Sequence, residues 1–199
     1  NTIHSGGELG LNIEGQNMLI GVWDGGSVRK DHVEFLDDSA VPVSRVATPD
    51  AFSTTSSEFH GTHVGGTLVS KGTNLDAKGM APKASLLSYD WNNDETEVIS
   101  QISERGLLLS NHSYGIPILN DEGEMNAPVW LMGNYDTSSK NWDDIAVASP
   151  YYLMVTSAGN SGADNYSGGI KDGFDKLTGE KNAKNNLVVA NANPFVNAT

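Results

Sequence analysis

Short apolar, β-branched runs alternate along the chain with amphipathic or glycine-punctuated stretches, the pattern of a parallel sheet flanked by helices. The runs that read as strands are Met18 to Asp24, Val43 to Thr48, Ser85 to Asp90, Leu107 to Ser110, Tyr152 to Ser157 and Leu187 to Asn191. Most are apolar on both faces, as strands buried between helical layers are. Asp94 to Arg105 spaces Val98, Ile99 and Ile102 as a helix does, opens with Asp94 and Glu97 as a capping pair, and ends at Gly106. A second helix follows His60 with Val64 and Leu68 on one side and stops near Gly72. Gly65 and Gly66 inside it cost about 1 kcal/mol each relative to alanine, so close packing or close ligand approach is expected there. A third helix, roughly Ser139 to Ser149, turns Trp142, Ile145 and Ala146 inward and stops at Pro150. Asn120 to Asp136 and Gly162 to Asn186, polar and rich in Gly and Asn, read as surface excursions. The pattern as a whole predicts an α/β chain, with a mostly parallel sheet carrying helices on both faces.

Composition narrows the partners. Across 199 residues, Asp and Glu number 25 against 12 Lys and Arg, a formal net charge of -13. That sign opposes binding to phosphates or to an anionic membrane surface, so neither nucleic acid nor membrane is expected as a partner. The absence of cysteine excludes disulfides, thiolate metal sites and a cysteine nucleophile, and leaves any metal to oxygen or imidazole ligands. No apolar run approaches the roughly 20 residues of a membrane span. The opening Asn1-Thr2-Ile3-His4 lacks both an initiator Met and the features of an intact signal peptide. We therefore expect a secreted protein whose N-terminal signal and pro-segment have been removed.

Polar groups stand at the ends of buried strands in three places, where open α/β sheets place their ligands. In Gly21-Val22-Trp23-Asp24-Gly25-Gly26 an apolar strand delivers one carboxylate before the chain turns, which is either a turn cap or a functional acid. In His60-Gly61-Thr62-His63-Val64-Gly65-Gly66-Thr67 two histidines share a helix face. They suit a metal site completed by a carboxylate such as Asp24, a general base oriented by Asp24, or one packed and one exposed histidine. The HExxH spacing of zinc proteases is absent. In Val155-Thr156-Ser157-Ala158-Gly159-Asn160-Ser161-Gly162 a strand ends in small residues and an amide that can face a developing oxyanion or form an ordinary turn. Ser161 lacks the GxSxG surroundings of a nucleophile, because the residue two after it is Ala163.

Together, in the order Asp, His, Asn, these segments resemble the subtilisin-like serine proteases. The resemblance extends through Ala81 to Leu86 and Leu109 to Gly115, similar to the family's third core strand and substrate-binding strand, to Lys184 to Val189, and covers about Met18 to Asn191. It implies the N-terminal portion of one subtilisin-like catalytic domain over residues 1–199, with a three-layer α/β fold left incomplete by these residues alone. It also implies a serine endopeptidase in which Asp24 orients the imidazole, His60 is the general base, and Asn160 donates to the oxyanion. Ser113, Tyr114 and Gly115 would pair with an extended protein or peptide substrate. Ser157, Ala158 and Gly159 would form one wall of the pocket for the residue before the scissile bond. His63 would be a structural residue of the helix.

The departures are equally specific. The family's nucleophile lies in a Gly-Thr-Ser-Met-Ala type segment, and none occurs before Thr199. The expectation is a companion C-terminal chain of the same precursor that carries the serine; the alternative is a catalytically inactive, protease-like peptide-binding module. The stretch from Ser113 to Asn160 is longer than in the small bacterial members, and the loop at Trp91 to Glu95 is shorter. The chemistry needs no cofactor and assigns no metal ligand. The resemblance does allow a structural Ca2+ in the loop Ser70 to Lys78, through Asn74, Asp76 and carbonyls, with Glu34 beside it.

Overall fold

The first strand, β1 (Leu19–Asp24), carries Ile20 and Val22 on one face and Gly21 and Trp23 on the other, and each face meets a different helix. The computed structural model describes residues 2–50, 58–169, 171 and 174–192. These fall into two compact units, Asn1–His112 and Ser113–Thr199. In the first, β2 (Val46–Ala47), β3 (Ser85–Asp90), β1 and β4 (Leu109–His112) lie side by side in that order, every pairing parallel. The register sets Asp24 opposite Asp90 at one end of the β1–β3 pair.

Ile20, Val22, Val28, Phe35, Val46, Val69 and Leu86 form a buried cluster, and Val64 and Leu68 of α1 (Glu58–Val69) pack against it. Gly65 allows this packing, because a methyl there would stand 2.7 Å from Val28 Cγ2 and 3.3 Å from Leu86 Cδ2. Close packing, one of the two causes expected for the paired glycines, is therefore the one seen at Gly65. On the opposite face Trp23 is sandwiched between Tyr89 and His112, with ring centroids 4.9 and 5.3 Å away and planes nearly parallel. Its indole Nε1 donates to Glu97 of α2 (Asp94–Arg105) at 2.9 Å. The α/β class and the parallel sheet are thus as expected, with helices on both faces of this unit's strands.

Helix α2 has the expected bounds, and its end is a Schellman turn. Gly106 at φ 65° gives its N–H to Ile102, and Leu107 gives its N–H to Gln101. Its start differs from expectation, since Asn93 in the left-handed region precedes it without a side-chain cap and Glu97 reaches Trp23 instead. Leu107, held by that turn, is not yet strand. β4 therefore begins two residues later than expected and runs into His112, a fully buried ring bonded to Ser110 Oγ at 2.8 Å. β2 is shorter than Val43 to Thr48 because Asp37 Oδ1 takes the Val43 N–H, and Ser44 forms an antiparallel bridge with Leu36.

In the second unit β5 (Leu153–Ser157) pairs in parallel with β6 (Leu187–Val189). α3 (Thr137–Ala148) starts earlier than expected, because Asp136 caps it by accepting the Ser139 N–H at 3.0 Å. Trp142 and Ile145 are buried and Ala146 half-buried, as expected; Asp143 is buried beside them. Asp143 Oδ1 accepts the N–H groups of Lys184 and Asn185, and Oδ2 accepts the Tyr135 hydroxyl, which together fasten the approach to β6. These bonds hold the Asp143 carboxyl below the usual carboxylate range despite the opposing effect of burial. The segments read as surface excursions instead carry a core of their own. Ile118, Ala127, Leu131, Met132 and Tyr166 cluster out of water, a grouping whose members are too scattered in sequence to show a period.

Candidate catalytic site

β1 ends at Asp24, whose side chain is 2% exposed. The chain turns at Gly25, whose N–H returns to Asp24 Oδ1 at 2.7 Å. Burying a carboxylate requires partners, and the principal one is the imidazole of His60 in the first turn of α1. His60 Nδ1 lies 2.7 Å from Asp24 Oδ1 and 2.9 Å from Oδ2, so the ring is held from its inner edge by both oxygens. Of the readings open for Asp24 and His60, the paired one is observed.

The approach depends on Gly61. A methyl at that position would overlap the carbonyl oxygen of Gly26 and come within 3.6 Å of Asp24 Cβ. Two glycine-containing backbones therefore meet where the acid meets the base. With Nδ1 donating to Asp24, a neutral His60 carries its lone pair on Nε2. The side chain is 58% exposed, which leaves that outer edge open to an incoming group. The pair can thus accept a proton at Nε2 and stabilise the resulting imidazolium through Asp24.

His63 departs from its expected structural role. It is exposed on the next helix turn and its ring stacks on Phe59 at 6.4 Å, itself 79% exposed. Among the described residues no group of three His, Asp or Glu side chains is arranged to hold a metal ion. In the loop named as a calcium candidate, the Glu34 carboxylate and the Asn74 amide are engaged by backbone N–H groups. Glu34 Oε2 accepts the N–H groups of Gly72 and Thr73, Oε1 accepts that of Asn74, and Asn74 Oδ1 accepts that of Asp76. The three N–H groups of Gly72, Thr73 and Asn74 converge on the Glu34 carboxylate and hold it below the usual range against its burial. Glu34 thus acts as the internal anchor of this loop.

In the second unit the ladder of β5 and β6 continues one step past Ser157, with Ala158 N–H bonded to the Val189 carbonyl at 2.8 Å. Gly159, at φ 88°, then turns the chain and presents Asn160 to solvent. No described residue hydrogen-bonds the Asn160 amide, so its NH2 is available to an external acceptor. Ser157, Ala158 and Gly159 lead into a cavity of about 500 Å³ lined in part by Ala158, Gly159 and Asn160.

Ser113, Tyr114 and Gly115 run outside any strand of this unit, with Ser113 and Tyr114 half-buried and Gly115 exposed. The Tyr114 carbonyl accepts from Lys181 Nζ, which also pairs with Glu180 at 2.9 Å. Lys181 is only 4% exposed and lies where a Gly115 side chain would be. It fixes the candidate substrate segment from behind, and nothing in its sequence surroundings distinguishes it from a surface lysine. Glu97 is a second residue that sequence reasoning assigned only to a helix cap. Burial chiefly, with the nearby charge of Asp50, raises its carboxyl to about 7, although its bond to the Trp23 indole acts the other way.

A family model described as the subtilase family, peptidase S8, matches residues 15–196. Among solved structures, the CspB protease of Clostridium perfringens has a TM-score of 0.52 at 19% identity, covering 76% of this chain and 37% of its own. MycP1 from Mycobacterium smegmatis gives a TM-score of 0.48 at 16% identity, covering 83% and 48%. The MycP3 protease from the type VII (ESX-3) secretion system gives 0.45 at 15%, covering 83% and 49%. The chain therefore spans less than half the length of each. No curated protein matches it.

Proposed function

The chain belongs to the subtilase family, and from that premise we propose that it supplies the aspartate, the histidine and an oxyanion donor of a serine endopeptidase. The observation that carries the proposal is the buried Asp24 carboxylate gripping His60 Nδ1 with both oxygens at the end of β1. In the proposed reaction His60 Nε2 takes the proton of a serine hydroxyl as its oxygen bonds to the peptide carbonyl carbon. The C–N bond then breaks as the same nitrogen returns that proton to the leaving amine. Water repeats the cycle on the acyl-enzyme and releases the acid. Asn160 Nδ2 and a backbone N–H would stabilise the oxyanion, and Ser113 to Gly115 would pair with the extended substrate backbone.

The serine comes, in this reading, from a companion chain of the same precursor. In the Asn1–His112 unit no described serine hydroxyl is bonded to His60, and Ser161 remains outside any nucleophile motif. The reading also takes the protein to be secreted, in keeping with its acidic composition; no described helix is long and apolar enough to cross a membrane. The test is labelling of the full-length protein with a fluorophosphonate, followed by peptide mapping. The expected result is one modified serine outside residues 1–199 and loss of peptide hydrolysis. A modified serine within 1–199 would refute the assignment. A folded full-length protein that binds peptides and neither reacts nor hydrolyses them would be an inactive binding module.

A further inference from the structure

We infer that the cavity beside Asn160 is a pocket for an acidic side chain, with Lys176 as the residue that selects it. The inference rests on the proposed role of Asn160. If its amide serves the oxyanion, the cavity it lines lies next to the residue whose carbonyl is attacked.

The cavity, about 500 Å³, falls within the roughly 300–1,000 Å³ usual for ligand sites and is ample for one side chain. Its lining combines apolar groups, including Ala163, Phe174, Leu177 and Ala190, with the two amides Asn160 and Asn191. Among the described residues that line it, Lys176 is the one charged residue and none carries a carboxylate. In a chain of net charge -13 that local sign is the reverse of the whole.

The ammonium is also positioned. Lys176 Nζ donates to the Gly162 carbonyl at 2.7 Å across the cavity wall, and Lys176 enters no ion pair among the described residues. An ammonium has three N–H donors, so this bond orients the group without using it up. The backbone next to it is tied down. Leu177 O accepts the Gly133 N–H at 2.8 Å and Asn182 Nδ2 at 3.1 Å, while Thr178 Oγ1 donates to Ile116 O at 2.9 Å. A cation held at the side of a cavity whose lining mixes apolar groups and amides matches a carboxylate on a short methylene stem, the side chain of Glu or Asp. An uncharged amide of the same shape forfeits the charge-assisted part of the bond, and a basic side chain is repelled.

The experiment has two arms on the full-length protein. The first compares kcat/KM for peptides that differ only in the residue before the cleaved bond. Glu or Asp should exceed Gln by about tenfold and Lys by more, with the gap narrowing as salt rises. Lys176→Met should abolish the Glu over Gln preference, and Lys176→Glu should favour Lys. The second arm measures binding of peptides ending in Glu, Gln or Lys to His60→Ala protein, where catalysis plays no part. Tighter binding of the Glu peptide, lost in the His60→Ala/Lys176→Met double variant, supports the pocket even if the protein hydrolyses nothing. Hydrolysis or binding that is indifferent to the acidic residue, or unchanged by Lys176→Met, overturns the inference and leaves the protease reading intact.

Discussion

Gly61→Ala sets a local gain against a tertiary loss, and the structure says which prevails. Position 61 lies in the first turns of α1, where alanine is favoured over glycine by about 1 kcal/mol. The added methyl, however, would overlap the Gly26 carbonyl oxygen, with Gly26 C at 3.3 Å and Asp24 Cβ at 3.6 Å behind it. These atoms are backbone or attached directly to it, so no rotamer change relieves the overlap. Restoring an ordinary carbon–oxygen contact of about 3.3 Å moves the start of α1 away from the turn after β1 by on the order of 1 Å. Overpacking of this kind costs about 1–3 kcal/mol, enough to cancel the helix gain and leave a net loss of up to about 2 kcal/mol. The functional effect should be larger. Moving His60 by that amount takes Nδ1 from 2.7 and 2.9 Å to beyond the bonding range of the Asp24 oxygens. Misplacement of a catalytic group by about 1 Å costs about 100-fold in rate. The assay is urea denaturation and peptide hydrolysis of the full-length protein, with Gly66→Ala as control, since there the nearest atom is the rotatable Ser70 Oγ at 3.3 Å. The control should stay within about 1 kcal/mol of the parent. A Gly61→Ala protein as active as the parent and more stable would show that this close approach does not position the base.

Asp24→Asn should leave the far-UV circular dichroism unchanged and lower kcat by about 10,000-fold, a magnitude carried over from serine-protease triads at large, read in steady-state hydrolysis. Glu34→Gln puts an amide among the N–H groups of Gly72, Thr73 and Asn74; the urea midpoint should fall by the equivalent of about 2–3 kcal/mol. Glu97 should make stability fall with pH. Its folded-state value of about 7 exceeds the ordinary 4.5, so the folded form holds the extra proton between those values. This contribution is complete below about 4.5 and is lost as pH rises towards about 7. Glu97→Gln keeps an oxygen acceptor for Trp23 and should flatten that part of the stability profile measured by urea titration.

The parts of the fold legible in the sequence are those whose signals are local. β3 and α2 have the expected bounds because an apolar run and a 3.6-residue period are each completed within a dozen residues and closed by Gly106. Asp24 and His60 could be singled out because strand ends and helix starts concentrate polar groups in identifiable places, and the structure brings these two together. Asn160 stands out in the sequence for the same reason, as the amide that follows β5, and its role belongs to the proposal. What stayed hidden depends on partners far away in sequence. Glu97 looks like a helix cap until Trp23, 74 residues earlier, takes its carboxylate. His112 is polar in a strand that buries it, and the stacking of Trp23 and the bond to the Ser110 hydroxyl, not its own sequence pattern, account for its place. Lys181 under Tyr114 and the small core around Met132 and Tyr166 arise from polar, glycine-rich segments with no periodicity to announce them.

The claim at the centre of this account is that His60, held by Asp24, is the proton-transferring base of an acyl-transfer reaction. The measurement that tests it most directly is alkylation of the full-length protein by a peptidyl chloromethyl ketone, with the modified atom located by tandem mass spectrometry and the rate compared in Asp24→Asn. The account predicts a single histidine adduct at His60 Nε2, suppressed by a competing peptide substrate and slowed in the variant, with peptide hydrolysis lost in proportion to labelling. Hydrolysis that persists with His60 fully alkylated, or an active enzyme in which the reagent modifies His63 and spares His60, would contradict it.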